Sequence, residues 1–178
     1  MGFGIRTRIR ELLGIDGESI EQLRKRGVKI GENCHLYSNE IDYGHGYLVE
    51  IGNNCTITHT TILTHDASTK IFTGYSKVGR VRIGDNVFIG HGAVILPNVT
   101  IGNNVVVGTN TVVRKDIPDN CVVSGNPAQI ICSIDEFIEK HKANMDKYPV
   151  YDTYWADKSE ADKQKEIEEL TGQPGYDI

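Results

Sequence analysis

Six histidines are the residues of this 178-residue chain best suited to chemistry near neutral pH. An imidazole of ordinary pKa, ~6.5, can take a proton from a hydroxyl and pass it to a departing group. Such general-base help is worth roughly 10²–10⁴-fold in rate. His65 is followed at once by Asp66, while Asp42 and His45 stand in the irregular run Ile-Asp-Tyr-Gly-His-Gly-Tyr. Any of these neighbours could orient an imidazole or hold a polar ligand. The cysteines at 34, 55, 121 and 132 lack Cys-x-x-Cys spacing. They read as buried apolar residues rather than as a disulfide, a zinc cluster or a nucleophile.

What positions these groups is a stretch with a period of six, from Val81 to Pro118. Isoleucine or valine recurs at 83, 89, 95, 101, 107 and 113, and glycine follows at 84, 90, 102 and 108. A smaller residue stands two places before each large one: Val81, Val87, Ala93, Val99, Val105 and Thr111. Neither an α-helix nor an ordinary strand repeats at six. Asn86, Asn103-Asn104 and Asn110 fall where the chain must turn, because glycine and asparagine tolerate positive φ. Hexapeptide periodicity of this kind is a signature of the parallel β-helix.

Extended upstream, the same ruler places Ile51, Ile57 and Leu63 as large inward residues, with Cys55, Thr61 and Ala67 as the small ones. Ile30 and Leu36 begin an earlier pair, with Val28 and Cys34. Two phase slips remain. The second implies a loop of 14 extra residues within about 66–82, beside His65-Asp66. A regular scaffold carries a long excursion mainly where the loop has a job. On this ruler His59, His65 and His91 all point outward near turns, with His91 directly over His59 and Pro97 over His65. His35 and His141 read as structural.

The predicted organisation is a helical segment over 1–27, a β-helix over 28–132, and a helical extension over 133–178. The spacing predicts a helix over 5–13 and a second from the capping box Ser19-Ile-Glu-Gln22 to about Arg26. Another capping box, Ser133-Ile-Asp-Glu136, opens a helix to about Lys147, and a charged helix over about 159–170 closes at Gly172. The basic cluster Arg6, Arg8, Arg10 and Arg24-Lys25-Arg26 reads as a solvated face, or as a contact for an anionic substrate or membrane surface. A net charge of −5 argues against nucleic acid as the main partner. No apolar run is long enough to span a membrane, and no signal peptide is recognisable, so a cytoplasmic location is expected.

The repeat, together with Ile-Leu-Thr-His65-Asp66, Ile89-Gly90-His91-Gly92 and the exit Gly125-Asn-Pro127, resembles the hexapeptide-repeat acyltransferases. The similarity is to the galactoside, maltose, xenobiotic and surface-polysaccharide acetyltransferases, and it covers about residues 28–132. It implies an all-β fold with peripheral helices: a left-handed parallel β-helix, an exception to the usual right-handed crossover. It implies a homotrimer with sites at the subunit interfaces and acetyl-CoA as cosubstrate. His65 takes the position of the general base, with Asp66, or Asp42 and His45, to orient it or to hold the acceptor. The amide near His91-Gly92 takes the place of the oxyanion donor. Turns around Gly108-Thr109 would meet pantetheine, Arg114-Lys115 the CoA phosphates, and Pro127 the cofactor at the exit. The family often carries Lys or Arg after the exit Pro-Ala, where this chain has Gln129. Tyr37, Asp42 and His45 are the candidate contacts for a small acceptor, most often a sugar hydroxyl in this family. No resident metal is expected.

Two other functions use the same scaffold. A zinc enzyme of the γ-carbonic-anhydrase kind would share His59, His65 and His91 across an interface, although its His-x₄-His pair is missing. A non-catalytic β-helix scaffold would bind no CoA and would not need His65.

Overall fold

The computed structural model describes residues 18–37 and 39–178; the helix expected over 5–13 lies outside them. Three sheets of short strands carry the architecture. The first stacks Lys29–Ile30, Val49–Ile51, Val81–Ile83 and Val99–Ile101. The second stacks His35–Tyr37, Thr56–Thr58, Phe88–Ile89, Val106–Val107, Cys121–Ser124 and Gln129–Ser133. The third stacks Glu40–Ile41, Thr61–Ile62, Val94–Ile95 and Val112–Val113. The chain visits first, second and third sheet in turn, so each circuit is one coil of a three-sided parallel β-helix. Every ladder within these sheets is parallel except the last, where Gln129–Ser133 turns back antiparallel on Cys121–Ser124.

Inward residues of successive coils stack into one core. Ile83, Ile89, Ile95, Ile101, Val107 and Val113 are all buried, as are Val81, Val87, Ala93, Val99, Val105 and Thr111. The period of six is thus the period of burial. One large residue per flat side fills the interior, and one small residue fits each corner.

The corner between the first and second sheets shows why its residue types recur. A Cβ on Gly84 would lie 2.6 Å from Asn103 Oδ1 and 2.7 Å from the Gly102 carbonyl of the next coil, so only glycine fits. Asn33, Asn54, Asn86, Asn104 and Asn120 all take φ between 54° and 61°. Their side-chain amides form a continuous ladder, each donating to the next at 2.8–3.2 Å. Asparagine therefore supplies both the left-handed backbone and a rung between coils.

One element of the register differs from the ruler. Ile62, not Leu63, is the inward residue of the second coil, pairing with Ile95, and Thr60 and Thr64 are buried beside it. The step from Ile57 to Ile62 holds five residues because the second-to-third corner there turns through His59 at φ 43°. The third coil uses an extra residue at that corner, with Gly92 at φ 76°. Ile62 and Leu63 are adjacent aliphatics, so a strict period of six selects the wrong one. Ala67 accordingly lies exposed in the excursion rather than inside a coil.

That excursion leaves the stack as an antiparallel pair, His65–Asp66 against Lys77–Val78, carrying a 3-10 turn Ala67–Thr69 and a short helix Lys70–Thr73. Before the first coil, the helix Ile20–Lys25 opens with the expected Ser19–Gln22 capping box and buries Leu23 in the core cluster. The chain divides into two compact units, one ending at Ile134 and the other spanning Asp135–Ile178. In the second, Val150–Tyr151 pairs with Tyr176–Asp177. Helix Ile134–Met145 leads into that unit, which also holds helix Glu160–Glu169, capped by Ser159 and Asp162. Lys158, with its side chain 5% exposed, is neutralised there by Glu166 and Asp177.

Candidate active site

At the corner where the third sheet ends, the first two coils bring together residues far apart in sequence. Asp42 follows the inward Ile41, and its backbone N–H donates to the Ile62 carbonyl 3.0 Å away. This ladder bond sets the Asp42 side chain beside Thr64 and His65 of the coil above. His65 Nδ1 lies 2.5 Å from Asp42 Oδ2. The same oxygen accepts from the Thr64 hydroxyl at 2.7 Å and the Thr64 N–H at 3.2 Å. Asp42 Oδ1 accepts from the Gly44 N–H at 3.2 Å.

The electrostatics follow from that packing. The Asp42 side chain is 2% exposed, whereas that of His65 is 41% exposed. Burial alone would raise the Asp42 carboxyl. The hydrogen bonds from the Thr64 side chain, His65 and the Thr64 backbone outweigh it and hold the group well below the usual carboxylate range. Asp42 is therefore a fixed anion under an accessible imidazole. An Nδ1–H donated to Asp42 leaves His65 Nε2 as the free acceptor, which is the arrangement a general base requires.

His45 joins the pair from the same irregular segment. Its Nδ1 is 3.7 Å from Asp42 Oδ1, and its ring centroid is 5.4 Å from that of His65. Asp42, His45 and His65 offer one ligand atom each within 4.8 Å of one another, so this trio is the group that could hold a metal ion among the described residues.

Asp66 does a different job in the chain. Its carboxylate accepts from Ser68 N–H at 2.9 Å, capping the 3-10 turn, and pairs with Lys77 at 2.9 Å across the stem. Lys77 and Ser68 hold that carboxyl well below its usual range. Alternation along the strand sends the side chains of 65 and 66 to opposite faces, so the neighbour in sequence is not the neighbour in space.

Two cavities lie beyond the excursion stem, neither lined by Asp42, His45 or His65. One of about 470 Å³ is lined by Asp66, Lys77, Val78, Leu96, Pro97, Asn98 and Arg114. The other, about 240 Å³, is lined by residues that include Arg114, Lys115, Pro127, Gln129 and Ile130. Arg114 borders both, so the expected phosphate contacts Arg114 and Lys115 and the exit Pro127 line one cavity, next to a second at the excursion stem. Lys77, Asn98 and Ile130 were not marked by the sequence, since no spacing links them.

The remaining expected residues sit at the other edge of the third sheet. His59 and His91 lie one above the other there, with ring centroids 4.6 Å apart and planes tilted by 48°, as their positions on the repeat predict. The Gly92 N–H already donates to the His59 carbonyl at 3.0 Å. A Cβ on Gly92 would meet Asn110 Oδ1 at 2.2 Å, so that position is closed to other residues twice over. No acceptor takes the His91 N–H among the described residues, which makes it the uncommitted donor of the turn. Gly108 and Thr109 lead into the corresponding turn one coil on, where a Cβ on Gly90 would meet the Thr109 nitrogen at 2.9 Å. Tyr37 also belongs to this edge, its carbonyl accepting from His59 N–H at 2.7 Å and its ring parallel to His35. The structure thus unites Asp42, His45 and His65 at one corner and His91, Gly92, Thr109 and Tyr37 toward the other.

The cysteines behave as the sequence implies. Cys34, Cys55 and Cys121 are buried free thiols, and Cys132 is half-buried. Burial pushes Cys55 up to about 11, which makes it a poor nucleophile.

A family model described as bacterial transferase hexapeptide (six repeats) matches residues 80–115. Protein CapG of Staphylococcus aureus is 45% identical over 135 residues, 72% of this chain and 78% of the relative. The galactoside O-acetyltransferase of Lactococcus lactis is 31% identical over 161 residues, covering 76% of this chain and 72% of the relative. Among solved structures, a galactoside acetyltransferase in complex with coenzyme A superposes with a TM-score of 0.50 at 26% identity, over 67% of this chain and 71% of that one.

Proposed function

This chain belongs to the hexapeptide-repeat acetyltransferases, and we propose that it transfers an acetyl group from acetyl-CoA to a hydroxyl of a sugar or related small acceptor. It is an acyltransferase, and acetyl-CoA is its cosubstrate. The observation that carries the finer reading is the Asp42–His65 pair, an exposed imidazole bonded at 2.5 Å to a buried carboxylate.

That geometry supports the following reaction. His65 Nε2 takes the proton of the acceptor hydroxyl as its oxygen attacks the thioester carbonyl carbon. The imidazolium is stabilised by Asp42, which stays ionised. Charge builds on the former carbonyl oxygen, and the His91 N–H is the backbone donor suited to receive it. Collapse breaks the carbon–sulfur bond, and the proton on His65 passes to the departing thiolate. The acetyl group goes directly from sulfur to oxygen, so no side chain is acylated.

Because His65 and His91 occupy opposite edges of the third sheet, a complete site joins two copies of the chain. The outer face between those edges carries the exposed Glu40 on the first coil and then Thr61, Val94 and Val112, all half-buried and uncharged, whereas the first sheet presents Lys29, Glu50 and Arg82 outward. The uncharged stretch above the first coil suits burial in a subunit interface, and a homotrimer of left-handed β-helices in the cytoplasm is the assembly we assign. No helix among the described residues is long and apolar enough to cross a membrane. CoA would then lie along the groove bordered by Arg114 and Lys115, with His45 and Tyr37 contacting acceptors at the interface.

A zinc enzyme is the second reading, favoured by the Asp42–His45–His65 trio. Calorimetric titration with acetyl-CoA and CoA, on metal-analysed protein, separates the two. Saturable binding near one site per chain, followed by acetyl transfer to members of a sugar panel, supports acyl transfer. Stoichiometric zinc without CoA binding would transfer the assignment to the metal enzyme.

A further inference from the structure

Among the described residues the first coil ends the stack, so its outer edge presents backbone carbonyls that no other described coil satisfies. Such groups need partners when they are shielded from water. At the third-sheet edge the partner is one side chain. Arg26 donates through Nη1 to the carbonyls of Asp42 (3.1 Å) and Tyr43 (3.0 Å), and through Nη2 to that of Ile41 (3.1 Å). Its guanidinium lies 4.9 Å from the centroid of the Tyr43 ring and is paired with Glu18 at 2.5 Å. The Arg26 side chain is only 15% exposed.

The three carbonyls belong to consecutive residues centred on Asp42. We propose that Arg26 is a positioning residue for the Asp42–His65 pair: it fixes the backbone from which the Asp42 carboxylate is aimed. The segment after Ile41 abandons the repeat until Val49, so no coil ladder holds Tyr43. Arg26 supplies the missing constraint from the last turn of the preceding helix, where it is the C-cap residue. A lysine could reach at most part of this set, because a single ammonium cannot fork to three carbonyls and a carboxylate in one plane.

Arg24 provides an internal control. It caps the same edge coil by donating to the carbonyls of Ile30 (2.8 Å) and Gly31 (2.9 Å), but on the first sheet. Both arginines close carbonyls of the terminal coil, and only Arg26 holds those next to Asp42.

This inference rests on His65 being oriented by Asp42, and its test does not require the acceptor to be known. Long-range proton–nitrogen spectra of histidine-labelled full-length protein, recorded well above the ordinary imidazole range, read which His65 nitrogen carries the proton. The His65 signal is assigned by its loss in His65→Gln. We expect the Nδ1–H form in the wild type and in Arg24→Ala, and its loss or mixing in Asp42→Asn and Arg26→Ala. Arg26→Lys should fall between, and it replaces Arg26→Ala should that variant fail to fold. An Arg26 variant that unfolds at lower denaturant but keeps the wild-type tautomer would reduce the arginine to a structural cap and overturn the proposal. Failure to find any acetyl transfer would count against the proposed reaction and leave this readout intact.

Discussion

Asp42 Oδ2 reaches His65 Nδ1 at 2.5 Å although 23 residues separate them, because the two stand one coil apart at the same corner. The backbone ladder makes that registry. Asp42 N–H bonds Ile62 O, and Thr64 adds two further bonds to the carboxylate. The orientation of the base is thus a property of coil stacking and not of the local sequence around His65.

His65→Ala should leave a folded protein that binds CoA and turns over at least ~10²-fold more slowly, the lower end of general-base assistance. Single-turnover acetyl transfer beside a CoA titration checks it. Near-normal turnover would take His65 out of the mechanism.

Asp42→Asn preserves volume but removes the anion that selects the His65 tautomer. A loss of roughly 10-fold or more in kcat is expected, with affinity for CoA unchanged, since the cofactor groove is lined by other residues. Asp66→Asn should act instead on the excursion, by loosening its pairing to Lys77. If Asp66→Asn proves the more damaging to kcat, the orienting role moves to Asp66.

The acid limb of stability carries the signature of Asp42. Its folded carboxyl titrates below the ~3.9 of an unfolded chain, so its contribution is fully present above that pH. That contribution is lost as pH falls from about 4 toward the depressed folded value. Urea midpoints of wild type and Asp42→Asn, measured from pH 7 downward, should therefore converge below about pH 4. A gap that stays constant through that range would show that Asp42 is not held as a carboxylate.

Arg114→Ala should weaken acetyl-CoA roughly 10-fold, the loss of one charge-assisted hydrogen bond, while kcat at saturation changes little. Initial rates over a range of acetyl-CoA concentration separate the two effects. An unchanged KM would place the CoA phosphates elsewhere.

Asn86→Ala should destabilise the column by about 1–3 kcal/mol, through lost rungs and a strained left-handed backbone. Asn86→Gly removes the rungs without the backbone strain and should cost less. Chemical denaturation of the pair distinguishes the two contributions; equal losses would mean that the φ of 56° carries no penalty for alanine.

Much of the fold was legible because burial repeats with the residues. From Val81 to Val113 every inward position follows the period of six. Ile62 escaped it because a one-residue contraction at the His59 corner is invisible when two aliphatics stand side by side. The excursion was legible as a gap in phase, and His65 does stand at its stem. What sequence could not rank was its partner: Asp66, Asp42 and His45 were all available, and only the registry of coils places Asp42 beneath the ring. Arg26 stood out only as part of a basic cluster read as a solvated face or an anion contact, whereas its side chain is 15% exposed and bound to carbonyls. That role was illegible, since a guanidinium bound to backbone carbonyls requires no particular residue types at the other end.

The antiparallel return of Gln129–Ser133 has a consequence for how the molecule behaves in concentrated solution. Stacked parallel coils are a template that another chain could extend indefinitely, as in fibre growth. Reversing the direction of the final strand, with an irregularity in register between Val122 and Val123, denies an incoming chain the matching ladder at that end of the second sheet. Arg24 and Arg26 occupy carbonyls at the other end. Among the described residues, the second sheet closes at one end on a reversed strand and the first coil at the other on two arginines, an arrangement that disfavours end-to-end addition of a further copy.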